Sequence, residues 1–315
     1  MGKAAAESIL HGLVAALATV CILGAGRIRH PGSRLHFWLL ALAGPVLLSP
    51  GYHWLVPARL EEGFRDSWAL FSGDRLALLA WHGVDVGTAG AGGLAVAGLL
   101  LYLRDLVPFV MEIRRSRARS REPATVPELL AQSAARAAAS LGTAVPRLRV
   151  LASPHPMLSC RGLRRPLIVT STAVLEQLTA DELDAAITHE VAHAKYRDPA
   201  LGWVLMLVRG LFCFNPAVQL CARAAAHELE RRADATAALA VGGPEAVVRS
   251  LRKLAGPGDD PNRGGRLPAW HGFRLAAMAE RCQALLDRHP ATPVPRFILA
   301  ATALGLGVIL FLTVA

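Results

Sequence analysis

The residues best suited to chemistry in this chain are His189, Glu190 and His193, in the pattern H-E-x-x-H. On an α-helix the two histidines lie four positions apart and therefore share one face. Two neutral imidazoles at this spacing can bind a single zinc ion. Glu190 follows the first histidine directly, where its carboxylate can take a proton from water held at the metal. The segment therefore predicts a zinc site with a general base.

A second segment supplies what such a site still needs. A catalytic zinc site has three protein ligands, an open position, and an acceptor that orients a ligating histidine. Glu230 and Asp234 again lie four positions apart, so we predict Glu230 as the third ligand and Asp234 as the orienting carboxylate. H-E-x-x-H followed by E-x-x-x-D is the gluzincin arrangement, similar to that of thermolysin and HtpX-type membrane proteases. Arg231 and Arg232, between the two acids, are interpreted as surface charges.

Peptide hydrolysis also needs a group that stabilises the oxyanion. His227, one turn before the third ligand, and His271, in a loop rich in Gly and Pro, are the two candidates. For each of them we favour a solvent-facing histidine over the oxyanion role. Asp198-Pro199 predicts a helix start with Asp198 as N-cap, and contact with the zinc shell is the alternative for Asp198.

The helix that presents the two histidines has a start signal and a packed face in the sequence. Thr179 and Glu182 have the spacing of a capping box. Leu183, Ile187 and Val191 supply an apolar side. Charged residues at both ends place the helix in water-accessible protein, which disfavours an intramembrane protease.

Composition indicates a membrane protein. The chain has 315 residues, of which 53% are hydrophobic, and its mean hydropathy is +0.37, which is too apolar for an ordinary soluble domain. The net charge is +10, but the basic residues gather beside apolar runs, as membrane topology requires. Only 6% of the residues are aromatic and no RNA-stacking motif is present, so we expect no direct nucleic-acid partner.

Four apolar runs are long enough to cross a bilayer. They cover about residues 8–26, 35–56, 84–110 and 297–315. A cleaved signal peptide is the alternative for the first run. Against it, Lys3 is the only basic residue before the run, and no A-x-A cleavage site follows. Gly44-Pro45 predicts a kink in the second run. Five glycines between residues 87 and 98 predict close helix packing in the third.

Arginine placement predicts the orientation of these spans. Arg-rich segments follow the first run (27–34) and the third run (114–121), and such segments face the cytoplasm. Both termini are then outside, and the zinc domain is cytoplasmic in a multi-pass protein of the cell membrane. We read the segment 114–121 as a membrane-surface anchor, with nucleic-acid binding as the alternative.

The predicted fold is a mainly α membrane protein: four transmembrane helices with a cytoplasmic α+β zincin-like domain inserted between the third and fourth. The predicted domains are residues 1–112, 113–295 and 296–315. In the middle domain, strands at 147–151 and 166–171 predict a small sheet with a turn through residues 160–162. The edge strand of such a sheet either aligns an extended substrate or is purely structural.

Two further features leave alternatives open. Residues 200–212 are very apolar but short and interrupted by Arg209, so we predict a buried or membrane-leaning helix, with a further span as the alternative. The five cysteines are odd in number and form no C-x-x-C, which predicts reduced, buried thiols in a cytosolic domain. A reactive or metal-binding cysteine is the alternative.

Five segments carry a resemblance to a known family. They are Pro166–Ser171, Leu178–Leu183, His189–Asp198, Phe214–Pro216 and Glu230–Asp234. Together they resemble the BlaR/MecR-type membrane metallopeptidases over most of the cytoplasmic domain. The resemblance implies three spans, a cytosolic zinc domain and a fourth span. Relatives of this kind cleave or inactivate a transcriptional repressor in response to cell-wall antibiotics.

Two departures from that family are visible in the sequence. Its best-known members carry an extracellular penicillin-binding sensor after the fourth span, where this chain stops. Relatives often have His where this chain has Asn215. Antibiotic sensing is therefore not implied here, whereas the protease chemistry is.

The sequence thus predicts a membrane-bound zinc endopeptidase, with Zn²⁺ as cofactor and a protein or peptide substrate such as a repressor. Three alternatives remain. One is an HtpX-like quality-control protease, which differs in substrate. Another is a catalytically silent zinc-binding scaffold for signalling, and the last is a basic membrane-surface module built on residues 114–121. The lipid bilayer is the expected environment in each case.

Overall fold

Helices make up most of the described chain and one small sheet accompanies them, in agreement with the predicted mainly α class. The structure is a computed structural model that describes residues 2–48, 51, 54, 80–81, 84–119, 123–154, 156–254, 279–287 and 292–313. The predicted loop that contains His271 and nearly all of the segment between the second and third predicted spans lie outside these residues.

The helices and strands are named here in chain order. They are α1 (Gly2–Ala25), α2 (Pro31–Ala43), a π-helical segment (Gly44–Leu48), β1 (Ala80–Trp81), β2 (Val84–Asp85), α3 (Val86–Arg119), β3 (Pro123–Ala124), α4 (Glu128–Leu141), β4 (Arg147–Leu151), β5 (Leu158–Arg161), β6 (Leu167–Ser171), α5 (Thr172–Gln177), α6 (Ala180–Tyr196), α7 (Asp198–Leu211), α8 (Pro216–Ala240), α9 (Glu245–Leu254) and α10 (Arg296–Thr313). Residues 279–286 are also helical.

Contacts within the chain divide it into two units. The first unit contains residues 1–107, 205–228 and 291–315, and the second contains residues 108–204 and 229–290. Residues 205–228 thus group with the apolar helices, although they lie inside the predicted domain 113–295.

Two helices in the described chain are long and apolar enough to cross a membrane: Ala5–Ala25 of α1 and Ala89–Val107 of α3. Only 6% of the α3 stretch is buried, unlike the core helix of a soluble protein. The apolar stretch of α10, Arg296–Leu312, is shorter. Two of the four predicted spans therefore contain a helix of this length and hydropathy, and six residues at the end of the second predicted span lie outside the described residues.

The predicted kink at Gly44-Pro45 takes the form of a π-helical segment, Gly44–Leu48, directly after α2. Proline has no N–H to donate, so the regular hydrogen-bond ladder cannot continue through it. The predicted close packing of α3 holds at Gly98, where an added Cβ would lie 2.6 Å from the backbone of Phe214. Three other glycines of α3 have no heavy atom within 4 Å of such a Cβ: Gly90, Gly92 and Gly93.

The sheet of the second unit differs from the predicted pair of strands. Its order is β3-β4-β6-β5, with β4 and β6 parallel and both edge strands antiparallel to their neighbours. The predicted turn through residues 160–162 is wrong for its first two residues, which belong to β5. The turn follows at Gly162, whose φ of 96° and contact with the Arg165 carbonyl oxygen require glycine.

The helix α6 lies at the centre of the second unit. Its predicted apolar side is confirmed, because Leu183, Ile187 and Val191 are all buried and pack with α4 and the sheet. The predicted capping box is also confirmed, since the Thr179 N–H donates to Glu182 Oε2 at 2.9 Å. The packed face and the cap fix the helix that carries the histidines.

All five cysteines are free, as predicted. Cys221 and Cys282 are buried, whereas Cys21 is exposed, so the prediction of burial is wrong for that residue. Cys21 lies within the apolar stretch Ala5–Ala25.

Candidate metal centre

The structure brings the three predicted zinc ligands together within the second unit. His189 and His193 lie on successive turns of α6, and Glu230 comes from α8. The two histidine Nε2 atoms are 3.0 Å apart. Each lies 3.6 Å from a different oxygen of the Glu230 carboxylate. These three residues form a group that can hold a metal ion.

The spacing of these atoms fits tetrahedral zinc. With ligands at about 2.0–2.1 Å from the ion, the edge of the coordination tetrahedron is about 3.3 Å. The observed separations of 3.0, 3.6 and 3.6 Å fall on both sides of that edge. The Glu230 side chain keeps 43% of its surface exposed, against 11% for each histidine. One side of the ligand group is therefore open, as a fourth position for water or substrate requires.

The first histidine is oriented by the predicted carboxylate. His189 Nδ1 lies 2.9 Å from Asp234 Oδ1, so the N–H is held at Nδ1 and the Nε2 lone pair points to the ligand group. Arg281 fixes this carboxylate in turn, donating from Nε and Nη2 at 2.6 and 2.7 Å. The same guanidinium reaches Glu230 Oε2 at 3.0 Å.

The second histidine has a matching support that the sequence reasoning misassigned. His193 Nδ1 lies 2.8 Å from Asp198 Oδ2. The predicted N-cap role of Asp198 is wrong, because α7 begins at Asp198 itself and Arg197 supplies the carbonyl before it. Arg197 adopts a left-handed conformation with a φ of 56°. This sharp turn after α6 returns the Asp198 carboxylate toward His193.

The prediction that Arg231 and Arg232 are surface charges is also wrong. Both are partly buried. Arg232 Nη2 donates to Asp198 Oδ1, and its guanidinium carbon lies 4.2 Å from the centre of the Tyr196 ring. Arg232 thus holds Asp198 as Arg281 holds Asp234.

The pKa values of the site indicate a negative electrostatic potential at the histidines. Burial would lower the pKa of His189, but hydrogen bonds and charge from Asp234 and Glu230 raise it to about 10. Burial would raise the pKa of Glu230, but the two histidines and Arg281 hold it well below its usual range. A field that favours positive charge on an imidazole also favours a divalent cation beside it.

Formal charges lead to the same conclusion. Four carboxylates belong to the site: Glu190, Asp198, Glu230 and Asp234. Two guanidiniums contact them, those of Arg232 and Arg281. With neutral histidines the site carries two excess negative charges, which one Zn²⁺ would balance. The donor set therefore fits the group that the sequence predicts.

Glu190 is buried with the histidines on α6. Strand β5, at the edge of the sheet, packs against this helix. Burial, followed by the charges of Glu190 and Asp198, raises the pKa of the Cys160 thiol on β5 to about 12. Cys160 is therefore a protonated neighbour of the site, which disfavours the alternative that this cysteine is reactive or binds metal.

Of the two oxyanion candidates, the structure describes only His227. His227 lies on α8, partly buried, within the first unit, and is not a member of the ligand group. His271 lies outside the described residues. The oxyanion role of either histidine stays a prediction. Arg281 was missed because no local pattern in the sequence connects it to the ligands.

Comparisons with known proteins identify peptidases as relatives of this chain. A family model described as "BlaR1 peptidase M56" matches residues 95–242. The chain is 30% identical over 104 residues to the Protease HtpX of Thioalkalivibrio sulfidiphilus (strain HL-EbGR7), covering 32% of this chain and 34% of that protein. It is 34% identical over 131 residues to the Plastoglobule-localized metallopeptidase 48, chloroplastic, of Arabidopsis thaliana, covering 38% of each chain.

The chain thus matches little more than a third of the length of these curated relatives. All the predicted ligands lie inside the family match, whereas Arg281 lies beyond its end. The predicted resemblance is confirmed: residues 95–242 match the BlaR1 peptidase M56 family model, and the match contains a histidine–histidine–glutamate group compatible with zinc.

Proposed function

We propose that this protein is a membrane-bound, zinc-dependent endopeptidase. The observation that carries the proposal is the convergence of His189, His193 and Glu230 at tetrahedral spacing beside Glu190. A structural zinc site is usually closed by four protein ligands and has no use for an adjacent buried carboxylate. An open site with such a carboxylate supports hydrolysis over a structural role.

Each residue has a defined task in this proposal. Zinc, when bound, would polarise the substrate carbonyl and lower the pKa of water. Glu190 takes a proton from the attacking water and delivers it to the leaving amine as the peptide bond breaks. Asp234 and Asp198 hold the N–H groups of the two histidines, which keeps the Nε2 lone pairs on the ligand side. The exposed edge of β5 is available to align an extended peptide.

Replacing the base tests the catalytic proposal. We expect Glu190→Gln to lower hydrolysis of fluorescently labelled casein by about 10²- to 10⁴-fold, the usual contribution of a general base. Zinc content should stay at the wild-type level, since Glu190 is not a ligand. Glu176→Gln, the same substitution at an exposed position, is the matched control. Persistent turnover in Glu190→Gln would refute the assignment.

For the substrate, we favour a cytoplasmic regulator such as a transcriptional repressor, cleaved in regulated proteolysis. The match to the BlaR1 peptidase family supports this choice. Membrane-protein quality control is the second candidate, supported by the similarity to Protease HtpX. A gene for a small winged-helix repressor beside the gene of this protein would favour the first candidate. Its absence, with accumulation of damaged membrane proteins in Glu190→Gln cells, would favour the second.

A catalytically silent scaffold makes a different prediction. In that case Glu190→Gln should leave signalling unchanged, while loss of the histidines should abolish it. The proposed enzyme loses its function in both variants. Comparing the two variants in cells therefore separates a scaffold from a peptidase.

We further propose that the protein is a multi-pass protein of the cell membrane with its metal centre in the cytoplasm. The apolar stretches Ala5–Ala25 and Ala89–Val107 support membrane insertion. Arginine-rich segments at 27–34 and 114–121 support the orientation. Alkaline phosphatase fused to the C-terminus should be active if that terminus is outside, and a fusion at residue 142 should be inactive. The reverse result would invert the topology.

A further inference from the structure

Residues 205–221 end α7 and begin α8, and they group with the apolar helices of the first unit. Contacts at three successive positions along α3 connect them to that helix. Asp105 pairs with Arg209 at 2.6 Å. A Cβ at Gly210 would lie 3.5 Å from the Tyr102 hydroxyl, and Gly98 meets the backbone of Phe214. The end of α7 therefore runs antiparallel to α3.

The turn between α7 and α8 lies at the middle of the apolar stretch of α3. Gly98 is nine residues from each end of the stretch Ala89–Val107, or about 13 Å at 1.5 Å per residue. A bilayer core is about 30 Å thick, so the backbone at Phe214 lies about halfway through it. This placement rests on the proposed membrane insertion of α3.

The helix α1 also contacts this turn, at residues three and seven positions inside the start of its own apolar stretch. The Asn215 amide donates to the Ser8 carbonyl at 2.8 Å. A Cβ at Gly12 would lie 2.9 Å from Ala217 Cβ. Both contact residues of α1 lie inside its apolar stretch, Ala5–Ala25. The turn is therefore flanked by two candidate spans rather than placed at the end of either.

Polar groups of the hairpin are turned inward and satisfied. Gln219 is fully buried; it accepts from Arg209 Nε at 3.0 Å and donates to the carbonyls of Arg209 and Phe212. The Asn215 side-chain oxygen accepts from the N–H groups of Ala217 and Val218 and caps α8. Backbone that turns within a membrane is tolerated only when such groups are satisfied by protein.

The outer face of the hairpin is apolar. Leu207, Leu211 and Leu220 are 63, 66 and 52% exposed. The face of α3 turned away from the hairpin is of the same kind, with Leu100 61% exposed. Exposed leucines on both elements therefore fit a single occupant, the acyl chains of the bilayer.

We propose that residues 205–221 form a re-entrant helical hairpin that enters the bilayer to about its middle and contacts lipid through Leu207, Leu211 and Leu220. Arg209, which interrupts the apolar run in sequence, faces inward to Asp105 and so does not oppose insertion. The structure thus assigns a membrane element that enters and leaves the bilayer on the same side, in addition to the candidate spans.

Fluorescence quenching tests this proposal on the full chain in phosphatidylcholine vesicles. Leu211→Trp and Leu220→Trp each add one tryptophan to the hairpin, Leu100→Trp adds one to α3, and Ala139→Trp adds one at an exposed position of α4. We expect lipids brominated at mid-chain to remove most of the emission added at positions 211, 220 and 100, but not at 139. Aqueous iodide should show the opposite pattern.

Each other outcome has a defined meaning. Iodide quenching at positions 211 and 220 would overturn the proposal, and so would shielding from both quenchers, which would indicate a protein partner on this face. If Leu100→Trp also escapes the brominated lipid, the membrane location itself fails, and the hairpin proposal with it. Zinc content equal to wild type verifies that each variant is folded.

Discussion

Two clusters of charged residues, one in each unit, differ in their balance of charge. In the first unit the Asp105 carboxylate faces Arg209, Arg223 and Arg104 at 2.6, 3.5 and 3.5 Å. In the second unit, four carboxylates of the candidate metal centre face two guanidiniums. The first cluster has no demand for a further cation. The second is incomplete without one, and this difference separates a structural cluster from a metal site.

The cluster around Glu182 sharpens the comparison, because it lies in the same unit as the metal centre. Glu182 is buried at the start of α6, with Lys253 Nζ at 2.6 Å and Arg249 Nε at 3.5 Å. It resembles the Asp105 cluster in having more cations than carboxylates. Burial of acids alone therefore does not mark a metal site in this protein; an excess of acids around two histidines does.

Removing a zinc ligand should have the largest effect, because the excess of carboxylates at the metal centre then no longer holds a cation. We expect Glu230→Ala to lose both zinc and peptide hydrolysis, because two imidazoles alone form an incomplete zinc site. Zinc per chain, measured by mass spectrometry after dialysis, is the direct readout. Glu176→Ala at an exposed position is the control. Full zinc retention in Glu230→Ala would place the third ligand elsewhere.

The next largest effect is expected at the self-balanced cluster. Arg209→Leu leaves the partly buried Asp105 without its nearest cation, so we expect a loss of about 3 kcal/mol in the free energy of unfolding. Zinc content should not change. The double substitution Asp105→Leu with Arg209→Leu should recover part of the loss, since the carboxylate that lost its nearest cation is then also removed. Denaturant titration in detergent measures both, with Arg149→Leu at an exposed position as control. An unchanged midpoint in Arg209→Leu would show that the ion pair with Asp105 does not stabilise the fold.

Weakening the supports of the histidines should have a smaller, graded effect. We expect Asp234→Asn and Asp198→Asn each to lower zinc affinity by about 10- to 100-fold, as loss of a carboxylate that orients a ligand usually does. Competition with a chelator of known affinity provides the measurement. Asp181→Asn, an exposed position on α6, is the matched control. If only Asp234→Asn has an effect, Asp198 contacts His193 without contributing to zinc affinity.

The parts of this centre that could be predicted are those with helical spacing. His189 and His193, and Glu230 and Asp234, follow from pairs four residues apart, because an α-helix must place such pairs on one face. Asp198 was misread because an Asp-Pro pair also fits a helix start, and only the left-handed turn at Arg197 decides between the two roles. No spacing rule relates Arg281 to either helix. The parallel pairing of β4 with β6 was missed for the same reason, since strand order is set by tertiary packing.

The smallest expected effect concerns the Glu182 cluster and its dependence on pH. Burial would raise the pKa of Glu182 above its usual 4.5, but hydrogen bonds from Lys253 and Thr179 lower it. A carboxylate with a lowered pKa in the folded state stabilises the fold above pH 4.5, and that contribution is lost as the pH falls through the lowered pKa.

Glu182→Gln keeps the shape of the cap but not its charge, so we expect a loss of about 1 kcal/mol at pH 7, the size of a helix cap. The loss should shrink as the pH falls from 4.5 through the lowered pKa of Glu182, because the unfolded wild-type chain takes up a proton first and the folded chain follows. Glu176→Gln should show neither change. Denaturation midpoints at pH 7 and pH 4 give the result. A pH-independent difference would mean that Glu182 acts through packing, and the contrast in charge balance would then rest on Asp105 alone.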